Sequence, residues 1–166
     1  SANYRRLMPD RWIESWRPDE GPSPKPADAY EAIMITGSAA CVTAPEPWMD
    51  RVIDVLLDAK VADVPVLGIC FGHQILAAAV FGMDAVRKSG TPEIGWFEIN
   101  SIGTSELFDG LPQSFTTFMS HFDEVRPCEG MTVIAQTERC GVAGYRVDGA
   151  RMWGIQFHPE MDKTEA

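Results

Sequence analysis

Two unbroken apolar runs, Ala32–Ile35 and Pro65–Ile69, constrain this chain more than any other feature. Runs that are apolar throughout, rather than in alternation, belong to strands buried on both faces. The first stops at Thr36-Gly37-Ser38, after which Trp48, Val52, Val55, Leu56 and Ala59 recur at helical spacing behind Pro47. Proline fits the first turn of a helix, where its missing N–H costs nothing. The second run is followed by the alanine-rich stretch from Gly72 to Phe81, which predicts a buried helix. Strand–helix–strand–helix order with buried strands predicts a parallel sheet covered on both faces. The second half changes character. Trp96–Ile99, Phe115–Ser120, Thr132–Thr137, Val142–Val147 and Met152–Gln156 read as short strands separated by turn residues. Near the start, Tyr4–Met8 reads as the end of a helix and Trp12–Trp16 as a short strand. Arg17 to Ala27, with Pro18, Pro22, Pro24 and Pro26, reads as a surface loop. The expectation is one α/β domain with a mixed, mostly parallel central sheet and helices on both faces.

Composition narrows the function. The 166 residues suffice for one domain with a proper core. No apolar stretch approaches a membrane span, and Ser1–Arg6 has no signal-peptide core, so no membrane partner is expected. Fourteen basic against twenty-four acidic side chains give a net charge of −10, which opposes a general grip on nucleic acid or anionic lipid. Cys41, Cys70, Cys128 and Cys140 form no CxxC pair and read as thiols of a reducing, cytoplasmic compartment. No Cys/His cluster has zinc spacing, and no P-loop or Gly-x-Gly-x-x-Gly occurs, so no metal or organic cofactor is expected. A cytoplasmic enzyme or a binding domain is left.

Gly68-Ile69-Cys70-Phe71-Gly72 sits between the second strand and its helix with the spacing of a nucleophile elbow. Small flanking residues permit a sharp turn that lifts the central side chain clear of the sheet. The thiol then lies at a helix amino terminus, where the dipole favours thiolate, and the Phe71 N–H points at an oxyanion. The alternative is a buried structural cysteine. A thiolate needs a proton acceptor, and the chain has three histidines: His73, His121 and His158. His73, inside the elbow helix three residues on from Cys70, reads as a neighbour of the thiol or as a packed helix residue, and the second is expected. His158 lies in Gly154-Ile155-Gln156-Phe157-His158-Pro159-Glu160, past a predicted strand. Pro159 stiffens the connection, so Glu160 can fix the imidazole tautomer and stabilise its cation. Cys70, His158 and Glu160 would form a nucleophile–base–orienter set; the alternative for the His-Pro-Glu stretch is an ordinary surface turn.

Gly68-Ile69-Cys70-Phe71-Gly72-His73-Gln74, together with Gly154–Glu160 about ninety residues on, resembles the class I (triad) glutamine amidotransferase family. Ile35-Thr36-Gly37-Ser38 resembles its glycine turn, and Met119-Ser120-His121-Phe122-Asp123-Glu124-Val125 its Ser-His-x-Asp segment. The similarity runs from about Trp12 to Glu160. It implies a flavodoxin-like architecture in which Cys70 attacks the glutamine side-chain amide. Phe71 and the Gly37-Ser38 turn hold the oxyanion, His158 serves the departing ammonia and then water, and Glu160 orients His158. Gln74, Ser120, His121, Phe122 and Asp123 would bind substrate. Ammonia would pass to a synthase, either fused or in a separate subunit.

Departures from the pattern are Ser38 and Ala39, where the family often has glycine and proline, and Phe122, where it often has glycine. The family's first strand and last helix are expected to be missing from the domain at 1–166. Two alternatives remain open. One is a γ-glutamyl peptidase or hydrolase with the same Cys-His-Glu triad, whose difference would show near Phe122 and Thr91–Trp96. The other is a non-catalytic binding or regulatory domain.

Overall fold

The structure, a computed structural model, describes residues 2–23 and 25–161. Their strands form one seven-stranded sheet in the order β1-β2-β7-β6-β5-β3-β4. The two apolar runs are β1 (Ile33–Ile35) and β2 (Val66–Ile69), paired in parallel, and β2 pairs in parallel with β7 (Met152–Ile155). Parallel neighbours need a crossover. Helix α2 (Pro47–Val61) supplies it between β1 and β2, beginning at the proline that the sequence marked, and α3 (Phe71–Phe81) leaves β2 directly.

The rest of the sheet is antiparallel. β6 (Gly144–Val147) lies against β7, β5 (Met131–Gln136) against β6, and β3 (Val86–Ser101) against β5 and β4 (Ser114–Val125). The expected mixed sheet is present, but it is not mostly parallel: only the β1–β2 and β2–β7 pairings are parallel, because the later strands follow one another through turns without helical crossovers. β3 extends well beyond Trp96–Ile99. Gly90, Pro92 and Gly95 hide its first half from a strand pattern, and the β3–β4 register shifts between Lys88 and Glu93.

Two cores sandwich the sheet. On one face Val52, Leu56 and Ala59 of α2 and Ile75, Leu76 and Ala78 of α3 pack over Val66, Tyr145 and Met152. On the other, Tyr4 of α1 (Ala2–Leu7) joins Ile69, Ile99, Met119, Ile155 and Phe157. Trp12–Trp16 is not a strand. Its polar neighbours are held locally, Glu14 by Lys25 at 2.6 Å and Arg17 by Asp19 at 2.8 Å, and no sheet ladder includes it. Trp16 donates its indole N–H to the Gly21 carbonyl at 3.0 Å and packs on the first core, whereas Trp12 is 93% exposed. Among the described residues no helix is long and apolar enough to cross a membrane.

Candidate active site

Cys70 occupies the single residue between β2 and α3, with φ 54° and ψ −106°. A left-handed φ in a residue with a Cβ costs on the order of 1–3 kcal/mol and persists only where surroundings enforce it. Here the Cys70 N–H donates to Ile155 O at 2.9 Å, and its carbonyl accepts from Gln74 N–H at 3.2 Å. The flanking glycines are required by contact. A Cβ on Gly68 would strike the Gly72 carbonyl, and one on Gly72 would strike the Ile35 carbonyl. Strand, elbow and helix approach so closely that no side chain fits at either position. The turn directs the thiol towards β4, where Sγ donates to Ser120 O at 3.4 Å.

His158 arrives from the end of β7 and is pinned by β4 as well. Its N–H donates to Phe118 O at 2.9 Å, and Thr117 Oγ1 donates to its carbonyl at 3.2 Å. Past Pro159 the chain turns back, so His158 Nδ1 donates to Glu160 Oε1 at 2.8 Å, with the two side chains 14% and 11% exposed. Burial by itself would lower the His158 pKa. The hydrogen bonds and charges of Cys70 and Glu160 outweigh it and push the imidazole up to about 10. Burial raises Glu160, but His158, the residue's own backbone N–H and then Tyr4 hold its carboxyl below the usual range. With Nδ1 committed to Glu160, Nε2 is the nitrogen left for the thiol.

Cys70, His158 and Glu160 share a pocket of about 560 Å³ with Gly37, Ser38 and Ser120, walled by Tyr4 and Phe118. The Gly37 backbone lies against both His158 and Cys70, since a Cβ there would sit 3.1 Å from His158 Cε1 and 3.6 Å from Cys70 Cβ. Phe71 opens α3, so its N–H belongs to the first helical turn, which has no intrahelical acceptor. Its ring is buried beside Trp48 at 5.5 Å.

Four residues expected to bind substrate do not line this pocket. Gln74 is buried, and its amide donates to Asp123 O and Gln156 Oε1, both at 3.0 Å. His121 is buried with both nitrogens engaged, Nδ1 with Asp123 O at 3.0 Å and Nε2 with Glu93 Oε2 at 3.2 Å. The Asp123 carboxylate accepts from Thr43 N–H at 3.0 Å and Thr43 Oγ1 at 2.9 Å, and pairs with Lys88 at 2.8 Å. Burial would raise its pKa, but Lys88 and Thr43 hold it low. Phe122 is 55% exposed, outside the pocket. Gln74 and His121 thus converge on the Asp123 carbonyl, a buried brace on the strand that also carries Ser120. His73 is fully buried, its ring 4.9 Å from that of Tyr145, and burial pushes it down to about 3, so it is neutral.

Glu93, Thr137 and Tyr4 carry no motif by which the sequence could single them out. Glu93 anchors the brace, accepting from Thr137 Oγ1 at 2.7 Å as well as meeting His121. Glu93, His121 and Cys140 place ligand atoms within 4.8 Å of one another. Both Glu93 oxygens are already hydrogen-bonded, and burial pushes the Cys140 thiol up to about 12, so the cluster is satisfied as a protein network.

Residues 14–166 match the family model described as glutamine amidotransferase class-I. The chain is 38% identical over 136 residues to "GMP synthase [glutamine-hydrolyzing]" of Parafrankia sp. (strain EAN1pec), covering 81% of this chain and 24% of that protein. It is 35% identical over 111 residues to a glutamine-hydrolysing GMP synthase subunit of Methanopyrus kandleri, covering 66% of this chain and 59% of the relative. The chain therefore spans about a quarter of the first relative and under two thirds of the second. Among solved structures, a glutamine amido transferase from Methylobacillus flagellatus superposes with a TM-score of 0.84 at 24% identity. That match covers 96% of this chain and 65% of the other. This likeness establishes the fold.

Proposed function

The chain belongs to the class I glutamine amidotransferase family, and on that premise we propose that it hydrolyses the side-chain amide of glutamine and that the ammonia passes to a synthase. The observation that carries the proposal is the shared pocket of Cys70, His158 and Glu160, with Cys70 on a strained elbow and His158 Nδ1 committed to Glu160 at 2.8 Å. Such a set serves thioester chemistry.

Cys70 Sγ gives its proton to His158 Nε2 and attacks the amide carbon as the carbon–oxygen π bond opens to an oxyanion. Backbone N–H groups of Phe71 and of the Gly37-Ser38 turn receive that charge, and one such donor contributes on the order of 3 kcal/mol. His158, now cationic, gives its proton to the nitrogen, and the oxyanion re-forms the carbon–oxygen double bond as the carbon–nitrogen bond breaks to release ammonia. The neutral imidazole then takes a proton from water, whose oxygen attacks the γ-glutamyl thioester. Collapse expels the thiolate and leaves glutamate. Glu160 keeps the Nδ1 proton in place throughout. The strained φ of Cys70 supports this reading, because a structural cysteine has no need of it.

The synthase is proposed on the relatives' names alone: one is a glutamine-hydrolysing GMP synthase, the other a subunit of such a synthase. A cytoplasmic setting accords with the four free cysteines. The test is a steady-state assay of the purified protein with glutamine and with a panel of γ-glutamyl peptides. Glutamine turnover is expected. Turnover of the peptides alone would move the protein to the γ-glutamyl peptidases, and silence on all substrates would overturn the catalytic reading.

A further inference from the structure

Among the described residues, two buried polar atoms of this pocket lack a hydrogen-bond partner of full geometry: the phenol oxygen of Tyr4 and Glu160 Oε2. Leaving such atoms unpaired costs about 1–3 kcal/mol each, so their coincidence in one pocket calls for a physical reason. Tyr4 is 9% exposed and lines the pocket beside Cys70, His158 and Glu160. It belongs to α1, at the far end of the sequence from the His-Pro-Glu turn, and packs in the core that contains Cys70 and Phe157. Of these two atoms the Tyr4 hydroxyl is the donor and Oε2 the acceptor, because Oε1 already takes the His158 proton. The two groups feel each other. Burial raises the tyrosine hydroxyl and Glu160 raises it further, while Tyr4 helps to hold the carboxyl low.

We infer that Tyr4 is a positioning residue of the catalytic set, donating its phenolic hydrogen to Glu160 Oε2 so that Oε1 stays aimed at His158 Nδ1. The inference rests on the glutaminase reading and deepens it. A carboxylate held by one oxygen can rotate about its terminal torsion, which has broad minima. With both oxygens held, it has one orientation, and so does the imidazole. Tyr4 acts through Glu160 and touches no reacting atom. Its effect belongs in kcat and in the pH dependence, with substrate binding unchanged.

The test is Tyr4→Phe, which removes one oxygen and keeps the ring, alongside Tyr4→Ala, which removes the packing as well. Tyr4→Phe is expected to fold as wild type by circular dichroism, to lower kcat about 5- to 50-fold and to leave KM within about twofold, a loss on the scale of one hydrogen bond to a charged group. Its acid limb in kcat/KM should move to higher pH, because Glu160 without its donor protonates more easily. Cys70 alkylation by iodoacetamide, followed against pH, gives a readout that needs no glutamine turnover. Its midpoint should rise in Tyr4→Phe, since the imidazolium beside the thiolate is less well held. Wild-type kcat and an unmoved alkylation midpoint in Tyr4→Phe, whatever Tyr4→Ala does, would reduce Tyr4 to packing and overturn the inference. A raised KM with unchanged pH limbs would overturn it in favour of a substrate contact. Should wild type fail to turn over glutamine, the function is wrong, and the alkylation midpoints still decide the role of Tyr4.

Discussion

Replacing Glu160 by glutamine keeps the side-chain volume, removes one charge and puts an NH₂ where a carboxylate oxygen stood. Glu160 Oε1 receives the His158 Nδ1 proton at 2.8 Å, and both side chains are largely withdrawn from water. A hydrogen bond to a charged partner contributes about 1.5–3 kcal/mol, equivalent to about 10- to 160-fold in rate. The glutamine can also turn its NH₂ towards Nδ1 and favour the tautomer with the proton on Nε2, which removes the base. In the Ser-His-Asp proteases the comparable change costs about 10⁴. A thiol is more acidic than a serine hydroxyl and depends less on its base, so kcat for Glu160→Gln should fall about 10- to 1,000-fold. The pH dependence carries a sign. His158 is pushed up to about 10 in part by Glu160, so losing the carboxylate lowers the imidazole pKa and moves the alkaline limb of kcat/KM to lower pH. Ammonia release measured across both limbs, with circular dichroism as the fold control, checks both statements. A kcat within about twofold of wild type, with the alkaline limb in place, would refute the orienting role and leave a Cys70–His158 dyad.

His158→Ala should abolish turnover with the fold intact, whereas His73→Ala should cost about 2–5 kcal/mol in denaturant-measured stability, because it empties a buried site against Tyr145. Equal loss of kcat in folded His73→Ala would mean that the base is misassigned. Cys70 should be alkylated first in brief iodoacetamide labelling followed by mass spectrometry, although Cys41 and Cys128 are more exposed. Labelling in order of exposure would contradict the elbow argument. Asp123 has its pKa lowered in the fold, so its stabilisation is present above the unfolded value of about 3.9 and is lost as pH falls through the folded one. Asp123→Asn should therefore be about 1–3 kcal/mol less stable than wild type near neutral pH, a gap that closes in acid. A constant gap across that range would show that the lost contacts do not depend on the carboxylate charge.

What the sequence disclosed depended on how local the cause was. β1, β2 and α2 were legible because Ile33–Ile35, Val66–Ile69 and Pro47 carry their signals within a few residues. β3 was only half legible, since its bulged first half is stabilised by the β4 ladder rather than by its own pattern. Trp12–Trp16 has strand-like residues, but among the described residues no strand pairs with it. The same division holds in the site. Cys70 lies in a compact motif whose flanking glycines are imposed by sterics, His158 and Glu160 in a second compact motif, and the structure brings the three into one pocket. Gln74, His121 and Asp123 were legible as a segment, but not in direction. Whether a side chain faces substrate or core is settled by tertiary partners, here Gln156, Glu93, Thr43 and Lys88. Tyr4 was invisible because its relation to Glu160 spans the whole chain.

The central claim is that glutamine is hydrolysed through a γ-glutamyl thioester on Cys70. Acid-quenching the protein during steady-state turnover, followed by peptide mass spectrometry, tests it most directly. The predicted result is the mass of one glutamyl group on the peptide containing Cys70, absent without glutamine and absent in Cys70→Ala, which should not release ammonia. Ammonia release that survives Cys70→Ala, or a glutamyl adduct on Cys41, Cys128 or Cys140 instead, would contradict it.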